Sequence, residues 1–309
     1  MTYEESLDLS ARIGSLIASR FPRVDYTRED VERAMAEYSP EDLAEMRQIG
    51  ILKEDFEEFY VIREFSEDYG IGEAGGGEYL LPLFARAKKL NADEFRSDPY
   101  LKNVTVPEVK EGDILLTTSE YERGEIFQYE MPDLTARTVT PSLGFFSEKV
   151  SFPAIYEGDV PWVSVCPSEI SSMAEGIKKA HGRVLVLGLG LGYYLCRIAA
   201  KETVSRITVV ELDERIVKIV KEHLLPQFPG REKITVVHAD ALDYLKTVKD
   251  GDFDYCYADI WEGVTDGAAF YRQIEPHEKR LTGTEFDYWI KEQILSYLKE
   301  VDNDEKHTL

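Results

Sequence analysis

The sequence is poor in the residues that build covalent or metal frameworks, and poor in positive charge. Its three cysteines, Cys166, Cys196 and Cys256, lie far apart, with no CxxC pair and no Cys/His spacing of a metal site. This argues against a disulfide scaffold or a zinc module and leaves each thiol as a small, reduced core side chain; no metal is expected. Long apolar runs are missing too. Nothing approaches the ~18 residues of a membrane span, and the opening MTYEESLDLS lacks the apolar stretch of a signal peptide. The expectation is a cytoplasmic protein with no membrane contact. Lys and Arg number 36 against 59 Asp and Glu, a formal net charge of -23 at pH 7. Such a surface repels phosphate backbones, and no Lys/Arg cluster tracks one, so nucleic acid is not an expected partner.

What is present divides the chain into three regions. Residues 1–110 read as an acidic helical domain. Thr27 is a helix cap with Asp30 at the capping-box position, and Ser39-Pro40-Glu41-Asp42 starts another helix with cap, proline and acids in order. Amphipathic stretches over 6–21, 52–65 and 78–90 supply further helices. The glycine-rich run from Gly70 to Gly77 has no strand before it and no Lys-Ser/Thr after it, so it reads as a flexible connection rather than a phosphate loop. Residues 111–166 form a small β-rich segment, with short strands expected over 113–118, 125–131, 150–156 and 162–166. From residue 167 to 309 strands and helices alternate, which argues for a doubly wound, mostly parallel Rossmann-like α/β sheet. Strands are legible over 183–187, 206–211, 234–237 and 253–260. No fifth is, because 263–275 and 284–301 read as helices; the sheet is expected to end at strand four, its edge covered by a helix, the N-terminal region or a second subunit. A homo-oligomer is among the expectations for that reason.

The chemistry-bearing residues fall at the ends of those strands. Val184-Leu185-Val186-Leu187 runs straight into Gly188-Leu189-Gly190-Leu191-Gly192 and then a helix, which lets backbone approach a ligand closely. Glu211 ends the second strand, where a carboxylate can accept from ribose hydroxyls, and Leu212 follows it. Asp240, with Ala241, follows the third strand and serves either a ligand or the cap of the next helix. Asp259-Ile260-Trp261-Glu262 follows the fourth. Asp259, and after it Glu262, are the candidates to bind a cationic substrate or take a proton from a nucleophile.

In these four motifs, over residues 164–271, the chain resembles the class I S-adenosylmethionine-dependent methyltransferases, and within them the spermidine synthase branch. The resemblance implies that Gly188, Gly190 and Gly192 line the methionine and ribose portion of S-adenosylmethionine. It places Glu211 on the ribose, Asp240 and Ala241 on the adenine, and Leu212 against one adenine face. The synthases carry Asp between the second and third glycines, where it holds the donor's amine; here that residue is Leu191. They also carry two acids three residues apart after strand four, a spacing kept by Asp259 and Glu262 around Trp261. With Leu191 in place of the acid, the expectation is methyl transfer to a small or cationic acceptor, with Asp259 as base. Aminopropyl transfer is the first alternative and a non-catalytic cofactor-binding or interaction role the second.

Overall fold

A computed structural model describes residues 1–53, 55–75, 77–134 and 138–307. The chain forms two compact units. One comprises Met1–Ser97, Ser119–Phe152 and Cys166–Ser171; the other comprises Asp98–Thr118, Pro153–Val165 and Ser172–Leu309.

The first unit packs helices on a three-stranded sheet. The helices Tyr3–Arg20, Arg28–Met35 and Pro40–Gln48 each begin with a reciprocal capping box. At the second, Asp30 N–H donates to Thr27 Oγ1 at 3.2 Å and Thr27 N–H donates to Asp30 Oδ2 at 2.8 Å, so aspartate closes the box. The helices Phe56–Asp68, Ile71–Gly75, Gly77–Arg86 and Ala92–Arg96 follow. The glycine run is therefore largely helical rather than a flexible connection; Gly76 lies outside the described residues. Burial of Ile71, Tyr79 and Leu83 in the core outweighs glycine's poor helix propensity. The helix expected over 78–90 stops at Arg86, and Lys88–Leu90 pairs in parallel with Val139–Phe146, whose other neighbour is Phe127–Leu134.

The second unit carries the candidate site. Its sheet has five parallel strands: β1 (Gly182–Leu187), β2 (Val204–Glu211), β3 (Ile234–His238), β4 (Tyr255–Ala258) and β5 (Glu285–Tyr288). They lie in the order β3-β2-β1-β4-β5, doubly wound with its reversal between β1 and β4. The connecting helices are α1 (Tyr193–Ala199), α2 (Glu214–Ile219), α3 (Ala241–Thr247) and α4 (Val264–Arg280), and α5 (Lys291–His307) follows β5. Val184 to Leu187 are at most 2% exposed, as a strand covered on both faces requires.

The sheet does not end at β4. β5 pairs with it in parallel from Tyr255↔Glu285 to Ala258↔Tyr288, so a further strand covers the edge expected to be capped by a helix, a domain or a subunit. Its short Glu-Phe-Asp-Tyr sequence carries a charge at a buried position. Asp287 is 7% exposed, and its carboxylate accepts from Lys179 Nζ and Tyr255 OH, both at 3.0 Å. This unit also contains the antiparallel pairs Val109↔Leu116 to Glu111↔Ile114 and Ala154↔Ser164 to Glu157↔Val160, which belong to one four-stranded sheet.

At the opposite end of the sheet from the strand tips, Asp254 joins β4 to β1. It accepts from Arg183 N–H at 2.7 Å, Nε at 3.0 Å and a terminal guanidinium nitrogen at 2.8 Å. The Arg183 side chain, helped by its backbone N–H, holds the Asp254 carboxyl well below the usual carboxylate range. A depressed folded pKa contributes stability in full above the unfolded value of about 3.9 and loses it as pH falls through the folded value. Asp254→Asn should therefore lower the melting temperature at neutral pH, and the gap to the parent should close as pH drops below about 4. Melting curves that keep a constant gap down to about pH 2 would contradict this assignment.

Candidate functional site

Four loops leave the carboxyl ends of β1 to β4 on one edge of the sheet, either side of the strand-order reversal, where open α/β folds bind ligands. The tightest contact lies between the first and the fourth. A Cβ on Gly188 would fall 2.0 Å from the Asp259 carbonyl oxygen, and Gly188 holds φ +96°. Asp259 N–H in turn donates to Leu187 O at 2.9 Å. The two strand ends are thus in backbone contact, and glycine at 188 is demanded by the protein's own main chain. Gly190 has the left-handed φ of +48°, but a Cβ there meets only Val163 Cγ2, at 3.5 Å. Val163 is a lining residue that the sequence does not announce: it sits in a short strand far from the glycines, and only the fold lays it over the loop.

Glu211 ties the first loop to the second. Its Oε2 accepts from Leu189 N–H at 2.9 Å and its Oε1 from Asp213 N–H at 2.8 Å. The side chain is 8% exposed, and each carboxylate oxygen retains a further acceptor position. Leu212 is 65% exposed, an apolar side chain left open beside a buried acid. His238 Nε2 lies 2.9 Å from Leu212 O. Asp240 Oδ1 accepts from Asp243 N–H at 2.8 Å and so caps α3, and Ala241 begins that helix in a buried position. Asp213 accepts from Arg215, whose guanidinium holds the carboxyl below its ordinary range.

In the fourth loop Asp259 is half-buried and Glu262 exposed. The Asp266 carboxylate anchors the loop's far end by accepting from Glu262 N–H at 2.7 Å and Gly263 N–H at 2.9 Å. Trp261 turns inward, 7% exposed, with Phe270 and Tyr288 at ring distances of 6.5 and 6.3 Å. Tyr193 and Tyr194 are packing residues. Tyr193 donates to Asp98 and Tyr194 to Gly176 O, and burial pushes both phenols above their ordinary value. Among the described residues no group of three or more His, Cys, Asp or Glu could hold a metal, and no helix is long and apolar enough to cross a membrane.

The segment that carries these loops also matches a known family. The match is to the Spermine/spermidine synthase domain, over residues 166–278. Two curated relatives are named polyamine aminopropyltransferase: one from Clostridium botulinum, 32% identical over 28% of this chain and 31% of its own length, and one from Aeropyrum pernix, 29% identical over 31% and 34%. The matched part thus spans about a third of the length of these relatives. The solved spermidine synthase of Thermotoga maritima aligns at 15% identity over 41% of this chain and 49% of its own, with a TM-score of 0.31, too low to bear on the argument.

These matches support the spermidine synthase-like side of the resemblance and overturn the methyltransferase expectation. They correct three points together: the reaction, the enzyme class and S-adenosylmethionine as donor. A polyamine aminopropyltransferase draws its group from decarboxylated S-adenosylmethionine. In sequence it is Leu191 that favours methyl transfer. It is 2% exposed and its carbonyl accepts from Tyr100 OH at 2.7 Å, so it belongs to the core rather than to the open face of the loop. A hydrophobic residue there reports on packing more than on the donor.

The two glycines should respond differently to alanine. Gly188→Ala drives a methyl into a carbonyl at a left-handed φ and should lose more than about 3 kcal/mol or fail to fold. Gly190→Ala, with room for its methyl, should fold with a loss of about 1–2 kcal/mol. Urea denaturation measures both; equal losses would rule out the backbone contact between β1 and β4.

Proposed function

We propose that this chain transfers an aminopropyl group from decarboxylated S-adenosylmethionine to a small amine acceptor. The observation that carries the reading is the family match over 166–278, which encloses all four loops. Local charge supports it. Residues 188–194, 211–213, 238–241 and 259–262 contain Glu211, Asp240, Asp259 and Glu262 with neither Lys nor Arg, while Asp213 is paired with Arg215. A donor that bears a sulfonium and an ammonium but no carboxylate suits that field better than S-adenosylmethionine itself. Gly188, Gly190 and Gly192 would face the donor's sulfonium side, the spare acceptor positions of Glu211 the ribose, and exposed Leu212 with Asp240 and Ala241 the adenine.

In the transfer, the lone pair of the acceptor nitrogen attacks the propyl carbon bonded to sulfur. The C–S bond breaks, its electron pair stays on sulfur as a neutral thioether, and methylthioadenosine leaves. The nitrogen sheds its proton to a carboxylate. Asp259 fills that role in this reading, since its backbone is fixed against the glycine loop, and Glu262 holds the ammonium at the acceptor's other end. Alignment of the reacting atoms and removal of the proton are the protein's main contributions.

The test is mass spectrometry of reactions with putrescine and either decarboxylated or intact S-adenosylmethionine. Methylthioadenosine and an aminopropylated amine should form with the decarboxylated donor alone. Asp259→Asn should lower kcat by about 10²–10⁴ while donor affinity stays within a few-fold. S-adenosylhomocysteine as product, or no binding of the decarboxylated donor by calorimetry, would reject the reading.

A further inference from the structure

Resting on the reading of Asp259 and Glu262 as the acceptor-side acids, we infer that Gly267, in the first turn of α4, is a positioning residue for that pair, acting through Trp261. A Cβ at 267 would lie 2.9 Å from Trp261 Cδ1, 3.1 Å from Cγ and 2.9 Å from Ile294 Cδ1. The isoleucine tip can swing aside; the indole is a rigid ring flanked by Phe270 and Tyr288. The indole Nε1 is buried with no hydrogen-bond partner, so no polar contact pins the ring, and its place is set by shape alone. The missing side chain of Gly267 is the space that the ring occupies.

The loop that bears the ring has little freedom at either end. Asp259 is held through its N–H to Leu187 O and by its carbonyl against Gly188. Beyond Trp261, the N–H groups of Glu262 and Gly263 are fixed on Asp266. The second anchor, Asp266, belongs to the same turn of α4 as Gly267, so a push between Gly267 and the indole moves Glu262 with that turn relative to Asp259, which stays on the sheet. That shifts the acceptor-side acids against each other and leaves the donor-side contacts at Gly188, Glu211 and Asp240 in place. The acceptor is thus gripped at a span set by a glycine that it never touches.

Gly267→Ala tests this. Acceptor kcat/KM should fall by about 10- to 100-fold, as misplacement of about 1 Å does elsewhere, while the donor Kd from calorimetry moves less than about twofold. In a Trp261→Leu background the same alanine should have almost no further effect, because the ring it would strike is gone. In a Trp162→Phe/Trp289→Phe background the emission of Trp261 should shift on Gly267→Ala, a readout that needs no turnover. An equal loss of donor and acceptor affinity, or an undiminished alanine effect beside Leu at 261, overturns the inference. So does an unmoved emission spectrum. If the parent protein transfers no aminopropyl group while the emission shifts, the reaction assigned above fails and the coupling of position 267 to the loop stands.

Discussion

The arrangement of the site depends on one steric fact: β1 and β4 end in main-chain contact. The Asp259 carbonyl stands where any residue other than glycine at 188 would place its Cβ. This closeness locates the first acid of the fourth loop relative to the glycine loop without any side chain being involved. The rest of the edge is built outward from it. Glu211 fastens Leu189 to Asp213 with two backbone hydrogen bonds, and Asp240 fastens the third loop to α3. The polar groups at this edge are thus held by hydrogen bonds within the protein itself, so a ligand bound there would require little reorganisation of them.

How much of this was legible follows from how local each signal is. The strand ends, the glycines and the acids after them are readable because each is a short pattern whose cause lies within a few residues. The capping boxes at Thr27 and Ser39 are readable for the same reason. β5 is not. Four residues with two acids carry no strand signal, and Asp287 is tolerable inside only because Lys179 and Tyr255 arrive from distant positions. The fully buried strand Val139–Phe146 hides behind Pro141, Ser142 and Gly144, which interrupt its apolar run. Val163 shows no sign in sequence of its place over Gly190.

The reaction is hard to read from sequence for a related reason. Leu191 departs from the synthase pattern inside the glycine loop, and only the structure shows that its side chain is buried. The charge at the strand ends is the sum of several loops, and Glu211, Asp240, Asp259 and Glu262 stand there whatever occupies 191. A single departure inside a motif is a weak guide to function when the structure buries that side chain; the charge over all four loops is the broader one.

The buried carboxylate of Asp287 has a consequence for how the sheet closes. The ion pair itself adds little net stability, because the Lys179 side chain is 46% exposed and solvent screens the attraction. It is intolerant of displacement, however. If β5 slid along β4 by one residue, every side chain would exchange faces, stranding Lys179 and Tyr255 without their acceptor and carrying Asp287 to the opposite face of the sheet. Asp287 thus acts as a registration pin: beside the buried rings of Phe286 and Tyr288, a charge keys this short last strand to a single alignment.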